Sequence, residues 1–240
     1  VQIYHTSHCG STLLASLLSN VIPTYSEPSW CHEIIQGRNV YFLEKIKEYK
    51  NSLIKLPSSL CCFSHLTEDK KIFLYRNLKN HLFKLLLLDH SKYNYLEKQY
   101  QFHLEHCHLK LKSVNFDTND RKYIFLWANR MLWMLESKNC FWVEANYFLS
   151  KKTKSLRETC QFLNLKEVED YSYQQYHVKQ LGFNNNNVEI SKIGANYSQQ
   201  INLVYPSYGV IEDDLCWNTK RIVELVDWAK NNIDIPENFL

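Results

Sequence analysis

The period of the apolar positions changes several times along this chain, and each change marks an element. Val1–His5 is a short run of β-branched and aromatic residues, the pattern of a strand covered on both faces. Leu13–Leu18 repeats apolar residues at helical spacing, so a helix is predicted a few residues later. Pro23 and Pro28 bracket Ile22–Trp30, which reads as a loop. Tyr41–Lys50 is charged and amphipathic, with Phe42, Ile46 and Tyr49 on one side, and Ser52–Lys55 is a short apolar run stopped by Pro57.

The second clear strand is Lys71–Tyr75, "KIFLY", with charges in front and Arg76-Asn77 behind. Leu78–Leu88 then resumes the helical period. From His90 to about Glu136 the chain is aromatic and helical, with a buried helix predicted over Tyr123–Leu135. Cys140–Val143 reads as a strand and Ser155–Leu163 as an amphipathic helix ending near Asn164. "GFNNNN" at 182–187 reads as a loop and Asp213–Asn231 as a closing helix. Strands alternating with helices predict an α/β fold: one domain over 1–240, a largely parallel central sheet flanked by helices, and a helical insertion over about 90–136.

Composition narrows the function classes. Hydrophobic residues make up 45%, enough for a substantial core, and no apolar run is long enough to span a bilayer. A net charge of +3 without dense Lys/Arg clusters suits an anionic ligand and argues against nucleic acid as the partner. Eight cysteines, none in a CxxC pair, read as reduced thiols, so a cytoplasmic location is expected, with an upstream targeting segment left open.

Candidate chemistry concentrates in "IYHTSHCGSTLLASLL", residues 3–18. The chain has only 5 glycines, and one stands between the first strand and its helix, followed at once by Ser11 and Thr12. A strand, a tight turn and a helix start present backbone N–H groups to one point, the geometry that holds phosphate or sulfate. The plainer reading of the same residues is a helix N-cap with a hydroxyl. Laid on residues 5–12, the ATP-hydrolysing frame G-x-x-x-x-G-K-[ST] keeps only Gly10 and Thr12, and Ser11 stands in the lysine's place; a kinase is therefore disfavoured. Arg76, at the end of the second strand, would reach the same sheet edge with a guanidinium suited to phosphate. Glu27, in "YSEPSW", is a candidate proton acceptor. "HLEHCH" places His103, His106, Cys107 and His108 together, but no second ligand pair accompanies them, so no metal is expected. Cys9 reads as a small loop-filling residue or, at a helix start, a nucleophile. Trp127, Trp133 and Trp142 read as core. Lys192 and Gly194 in "SKIGANY" are candidates for a later phosphate-contacting loop.

Taken together, these residues resemble the sulfotransferases that use 3′-phosphoadenosine 5′-phosphosulfate (PAPS), particularly the bacterial and tyrosylprotein-type members. The family's 5′-phosphosulfate loop corresponds to His8-Cys9-Gly10-Ser11-Thr12-Leu13, and its 3′-phosphate motif opens like Arg76-Asn77-Leu78-Lys79-Asn80. Glu27 falls where tyrosylprotein-type members carry a catalytic glutamate, and "LRETCQFLNL" (156–165) is similar to a late family helix. The resemblance runs from the start of the chain to about residue 165. It implies a P-loop-like fold and transfer of a sulfuryl group from PAPS to a hydroxyl or amine of a small-molecule or peptide acceptor. His8 and residues 9–12 would hold the 5′-phosphosulfate, with Arg76 and Lys84 at the 3′-phosphate; Glu27 would be the base, with Lys55 and His8 assisting. His8 replaces the family's lysine or arginine, Lys84 its phosphate-binding serine, and Lys55-Leu56-Pro57 lacks the cytosolic branch's histidine. Both an active transferase and a catalytically degenerate nucleotide-binding protein remain open.

Overall fold

The computed structural model describes residues 1–7, 9–38, 41–87, 93–168 and 212–240. Its strands are β1 (Gln2–His5), β2 (Thr24–Ser26), β3 (Leu53–Lys55), β4 (Lys71–Tyr75) and β5 (Cys140–Glu144). They form one parallel sheet in the order β2-β3-β1-β4-β5. The helices among the described residues are α1 (Ser11–Leu18), α2 (Ser29–Ile35), α3 (Phe42–Lys47), α4 (Leu78–Leu87), α5 (Tyr93–Glu105), α6 (Asn119–Leu135), α7 (Ala145–Ser150), α8 (Lys152–Leu163) and α9 (Glu212–Asn232). This is the α/β class, with helices on both faces of the sheet. Among the described residues no helix is long and apolar enough to cross a membrane.

Successive side chains of a strand point to opposite faces, and here both faces are covered. Ile3, Leu53, Ile72, Leu74 and Val143 enter one core with α1, α7 and α8. Tyr4, Ile54 and Phe73 enter a second core with α2, α5, α6 and α9. That is why β4 carries the consecutive apolar residues Ile72, Phe73 and Leu74, and β1 the pair Ile3-Tyr4, instead of an alternating pattern. The aromatic middle third supplies Phe102, Phe125 and Trp127 to the second core, so its helices share one interior with the sheet.

Two local readings are corrected and one element is added. The segment Ile22–Trp30, expected to be a loop, contains β2 and the start of α2. β2 is a three-residue edge strand whose backbone is recruited by β3 alone, so no apolar alternation announces it. Ser58–Leu66 winds as a 3₁₀ segment directly after β3, carrying Cys61 and Cys62 into the core. Helix α6 begins earlier than its apolar period, at Asn119, because the Thr118 side chain accepts from the Arg121 N–H (3.2 Å) and caps it.

The chain leaves β1 toward β2 on one side and β4 toward β5 on the other. Neighbouring strands whose connections diverge open a crevice at their carboxyl ends, here between β1 and β4. The opposite, amino edge is closed by Lys71. Its buried ammonium donates to the carbonyls of Thr67 (2.6 Å), Asp69 (3.0 Å) and Lys138 (3.2 Å). Lys71→Met keeps the aliphatic stem and strands three carbonyls. It should cost about 2–4 kcal/mol, read as a lower urea midpoint at unchanged slope.

Candidate functional site

At the carboxyl edge the β1–β4 ladder continues one residue past β1, with the Thr6 N–H donating to the Leu74 carbonyl (3.1 Å). The next rung of a parallel ladder would join the Arg76 N–H to the Thr6 carbonyl. Instead the Arg76 N–H donates to the Thr6 hydroxyl (3.2 Å), and the strands part there. The Ser7 N–H turns back to His5 Nδ1 (3.1 Å), with Ser7 at φ 88°. Gly10 follows at φ 86°, ψ 15° as the N-cap of α1. A Cβ there would meet Phe148 and Leu149 at no closer than 3.5 Å, an ordinary contact. The left-handed backbone, not lack of room, is what asks for glycine.

No side chain caps α1, so the plain capping reading of Ser11 and Thr12 does not hold. The N–H groups of its first turn have no carbonyls inside the helix; that of Ser11 lies against the Cys9 sulfur, and the positive end of the helix dipole stands at the same carboxyl edge.

Arg76 follows β4 and is buried, its Nη1 donating to Asn146 Oδ1 (2.6 Å) at the start of α7. On the other side of β1, Glu27 and Lys55 close the ends of β2 and β3. The Glu27 N–H donates to the Lys55 carbonyl (2.7 Å), and the Lys55 ammonium donates to the Glu27 carboxylate. Burial pushes the Glu27 carboxyl up, but the charge and hydrogen bond of Lys55, with a smaller contribution from His32, outweigh it and hold the group below its ordinary value. Glu27 also has φ 48°. The other described non-glycine residues at positive φ are Ser7 and three asparagines, and asparagine tolerates this region. Ser7 and Glu27 do not favour it, and both lie on the carboxyl edge, where backbone strain commonly accompanies function.

Cys9 ties these parts together. Its thiol is fully buried and donates to the Leu74 carbonyl (3.3 Å). Burial pushes it up to about 11, and the charges of Arg76 and Lys55 pull it down without reversing that. The thiol is therefore neutral near physiological pH and is no nucleophile. The turn, Lys55 and Arg76 lie at the carboxyl ends of the adjacent strands β1, β3 and β4, and the Cys9 thiol bonds the β4 backbone two residues before Arg76.

The fold thus gathers Cys9, Gly10, Ser11, Thr12, Glu27, Lys55 and Arg76 on one edge. The Cys9 side chain faces inward, leaving only its backbone for a ligand. His8, Lys192 and the Lys84 side chain lie outside the described residues, as do Gly194 and the 182–187 tract. Sequence reasoning missed Arg130, whose Nη1 donates to the Thr6 carbonyl (3.1 Å), and Asn146. The signal for Arg130 was the pair Asn129-Arg130 inside the apolar run of α6. The histidines of 103–108 are engaged separately: His103 with Asn129, His106 with the Phe102 carbonyl, His108 with Glu136. Trp127 is core and donates to the Arg76 carbonyl (2.9 Å). Trp133 stacks on His65, and Trp142 packs edge-on against Phe73 and Tyr75.

No protein-family model and no curated protein matches the sequence. Among solved structures, the chain is similar to a sulfotransferase from Alicyclobacillus acidocaldarius, at 13% identity and a TM-score of 0.43, covering 73% of this chain and 85% of that one. It is also similar to the sulfotransferase domain from the curacin biosynthetic pathway, at 13% identity and a TM-score of 0.43, covering 98% of both chains. At such values the fold class rests on the sheet order itself.

Glu27 makes the edge pH-sensitive. A carboxylate held below its ordinary value of 4.5 contributes stability that is complete above the unfolded value and is lost as pH falls through the lower folded one. Urea midpoints of the wild type should therefore exceed those of Glu27→Gln at about pH 6, and the gap should narrow as the pH falls from there toward about pH 3. A constant gap across that range contradicts the ion pair.

Proposed function

We propose that this protein is a sulfotransferase that takes its sulfuryl group from PAPS and passes it to a hydroxyl or amine of a small-molecule or peptide acceptor. The observation that carries the reading is the convergence of the Gly10 turn, Arg76, Lys55 and Glu27 on one edge of the sheet, with the turn's Cys9 thiol bonded to the end of β4 and Lys55 paired with Glu27. The donor is a polyanion with two charged groups, the 5′-phosphosulfate and the 3′-phosphate, and the residues suit it. The N–H groups at the start of α1 would take the 5′-phosphosulfate, and Arg76, with Lys84, the 3′-phosphate; Lys192 is a candidate further phosphate contact. His8 adds a cation to the turn when protonated.

The chemistry this arrangement serves is in-line displacement at sulfur. The acceptor oxygen or nitrogen bonds to sulfur as the bond from sulfur to the bridging oxygen breaks, releasing adenosine 3′,5′-bisphosphate. Glu27 takes the acceptor's proton, and Lys55, on leaving the carboxylate, stabilises the charge on the departing oxygen. By analogy with phosphoryl transfer, positioning and charge stabilisation suffice, without a covalent enzyme intermediate.

One observation favours a second reading, a nucleotide-binding protein without transfer. The Lys55–Glu27 pair keeps the carboxylate ionised at the cost of basicity. The two readings separate on Glu27→Gln and the wild type assayed side by side. Adenosine 3′,5′-bisphosphate should raise the melting temperature of both proteins, while transfer of labelled sulfate from PAPS falls about 10²–10⁴-fold in the variant. Stabilisation by ATP with magnesium and not by the bisphosphate would discard the donor assignment. Bisphosphate binding with no transfer by the wild type to hydroxyl or amine acceptors would favour the second reading.

A further inference from the structure

The two walls of the crevice, the main chain after β1 and after β4, are both fastened to a single helix that no motif singles out. Trp127 Nε1 donates to the Arg76 carbonyl (2.9 Å), and Arg130 Nη1 donates to the Thr6 carbonyl (3.1 Å). The donors stand three residues apart on α6, one face of a helix. Both are buried. The acceptors are the carbonyls just where the ladder parts, because the Thr6 hydroxyl has taken the Arg76 N–H that would otherwise have met the Thr6 carbonyl.

The helix is also held from its far side. Between the two donors, Asn129 Oδ1 accepts from the His108 N–H (2.7 Å), while its amide nitrogen contacts His103 Nδ1 (2.9 Å) and donates to the His106 carbonyl (3.2 Å). Trp133 Nε1 donates to that same carbonyl (3.0 Å). The rotation of α6 about its axis is thereby set, and with it the place of both donors.

We propose that Trp127 and Arg130 are positioning residues of the donor crevice, pinning one wall carbonyl each so that neither turns its negative end toward a bound anion. The proposal rests on the donor reading above and goes beyond it. Peptide planes are rigid, so a carbonyl anchored on α6 commits the following N–H to the opposite direction. At Thr6–Ser7 both ends are fixed, the carbonyl by Arg130 and the N–H by His5. Released, each plane could rotate and present a carbonyl dipole to a phosphate, which repels it.

The test compares Arg130→Met, Arg130→Lys and Trp127→Phe with the wild type by two measurements. Hydrogen–deuterium exchange of the peptides covering 6–14 and 75–80 reads wall order without any ligand. Titration calorimetry with adenosine 3′,5′-bisphosphate, well below each variant's melting temperature, reads the site. Arg130→Met should raise exchange in 6–14, Trp127→Phe in 75–80, and each should weaken binding about tenfold or more, with Arg130→Lys recovering most of the loss. Unchanged exchange in both segments overturns the pinning. Raised exchange at unchanged affinity overturns the positioning role. A wild type that does not bind the bisphosphate overturns the donor reading, and the exchange data then decide the pinning by themselves. If Arg130→Met does not fold, Arg130→Lys and Trp127→Phe carry both measurements.

Discussion

Everything at the carboxyl edge depends on one exchanged hydrogen bond, the Arg76 N–H accepted by the Thr6 hydroxyl instead of the Thr6 carbonyl. A parallel ladder that continued would have sealed β1 against β4. With the hydroxyl as acceptor, the backbone ladder ends there. The Thr6 carbonyl is freed for Arg130, and the chain can enter the Ser7–Gly10 turn before α1 begins. Threonine suits the position because its short hydroxyl reaches a neighbouring strand while its backbone still belongs to the sheet.

Around that parting the fold collects cations in a region of low solvent exposure. Lys55, Arg76 and Arg130 are each about 5% exposed or less, where charge interactions are stronger than at the surface. Lys55 has Glu27, and Arg76 and Arg130 are spent in part on Asn146 and the Thr6 carbonyl. The same scarcity of water keeps the Cys9 thiol neutral beside two of these cations. An edge built this way accommodates a polyanion more readily than a neutral ligand, and desolvation makes each charge contact directional.

The Glu27–Lys55 pair carries two demands at once. It orders the ends of β2 and β3, which meet the rest of the sheet only through short strands. It also presets a carboxylate in its ionised form. The backbone at Glu27 is held in the left-handed region while its N–H bonds to the Lys55 carbonyl, so the side chain is aimed by main-chain geometry as well as by its partner. A carboxylate tied to a lysine is a weaker base than a free one, because losing the charge also loses the pair.

The elements that bury apolar residues on two faces were legible from the chain alone. β1, β4, the start of α1 and the amphipathic α8 follow from period and composition, because covered strands and amphipathic helices need those patterns whatever their neighbours. Gly10 was legible as well, since a scarce glycine between a strand and a helix signals a backbone that other residues avoid. The edge strand β2, the 3₁₀ turn after Pro57 and the roles of Thr6, Trp127 and Arg130 were not. Each depends on a partner far away in sequence, a carbonyl or a strand that only folding brings near. Residue order determined which segments could be buried and where the chain had to turn; tertiary packing decided which carbonyls found donors, and so where the sheet opens.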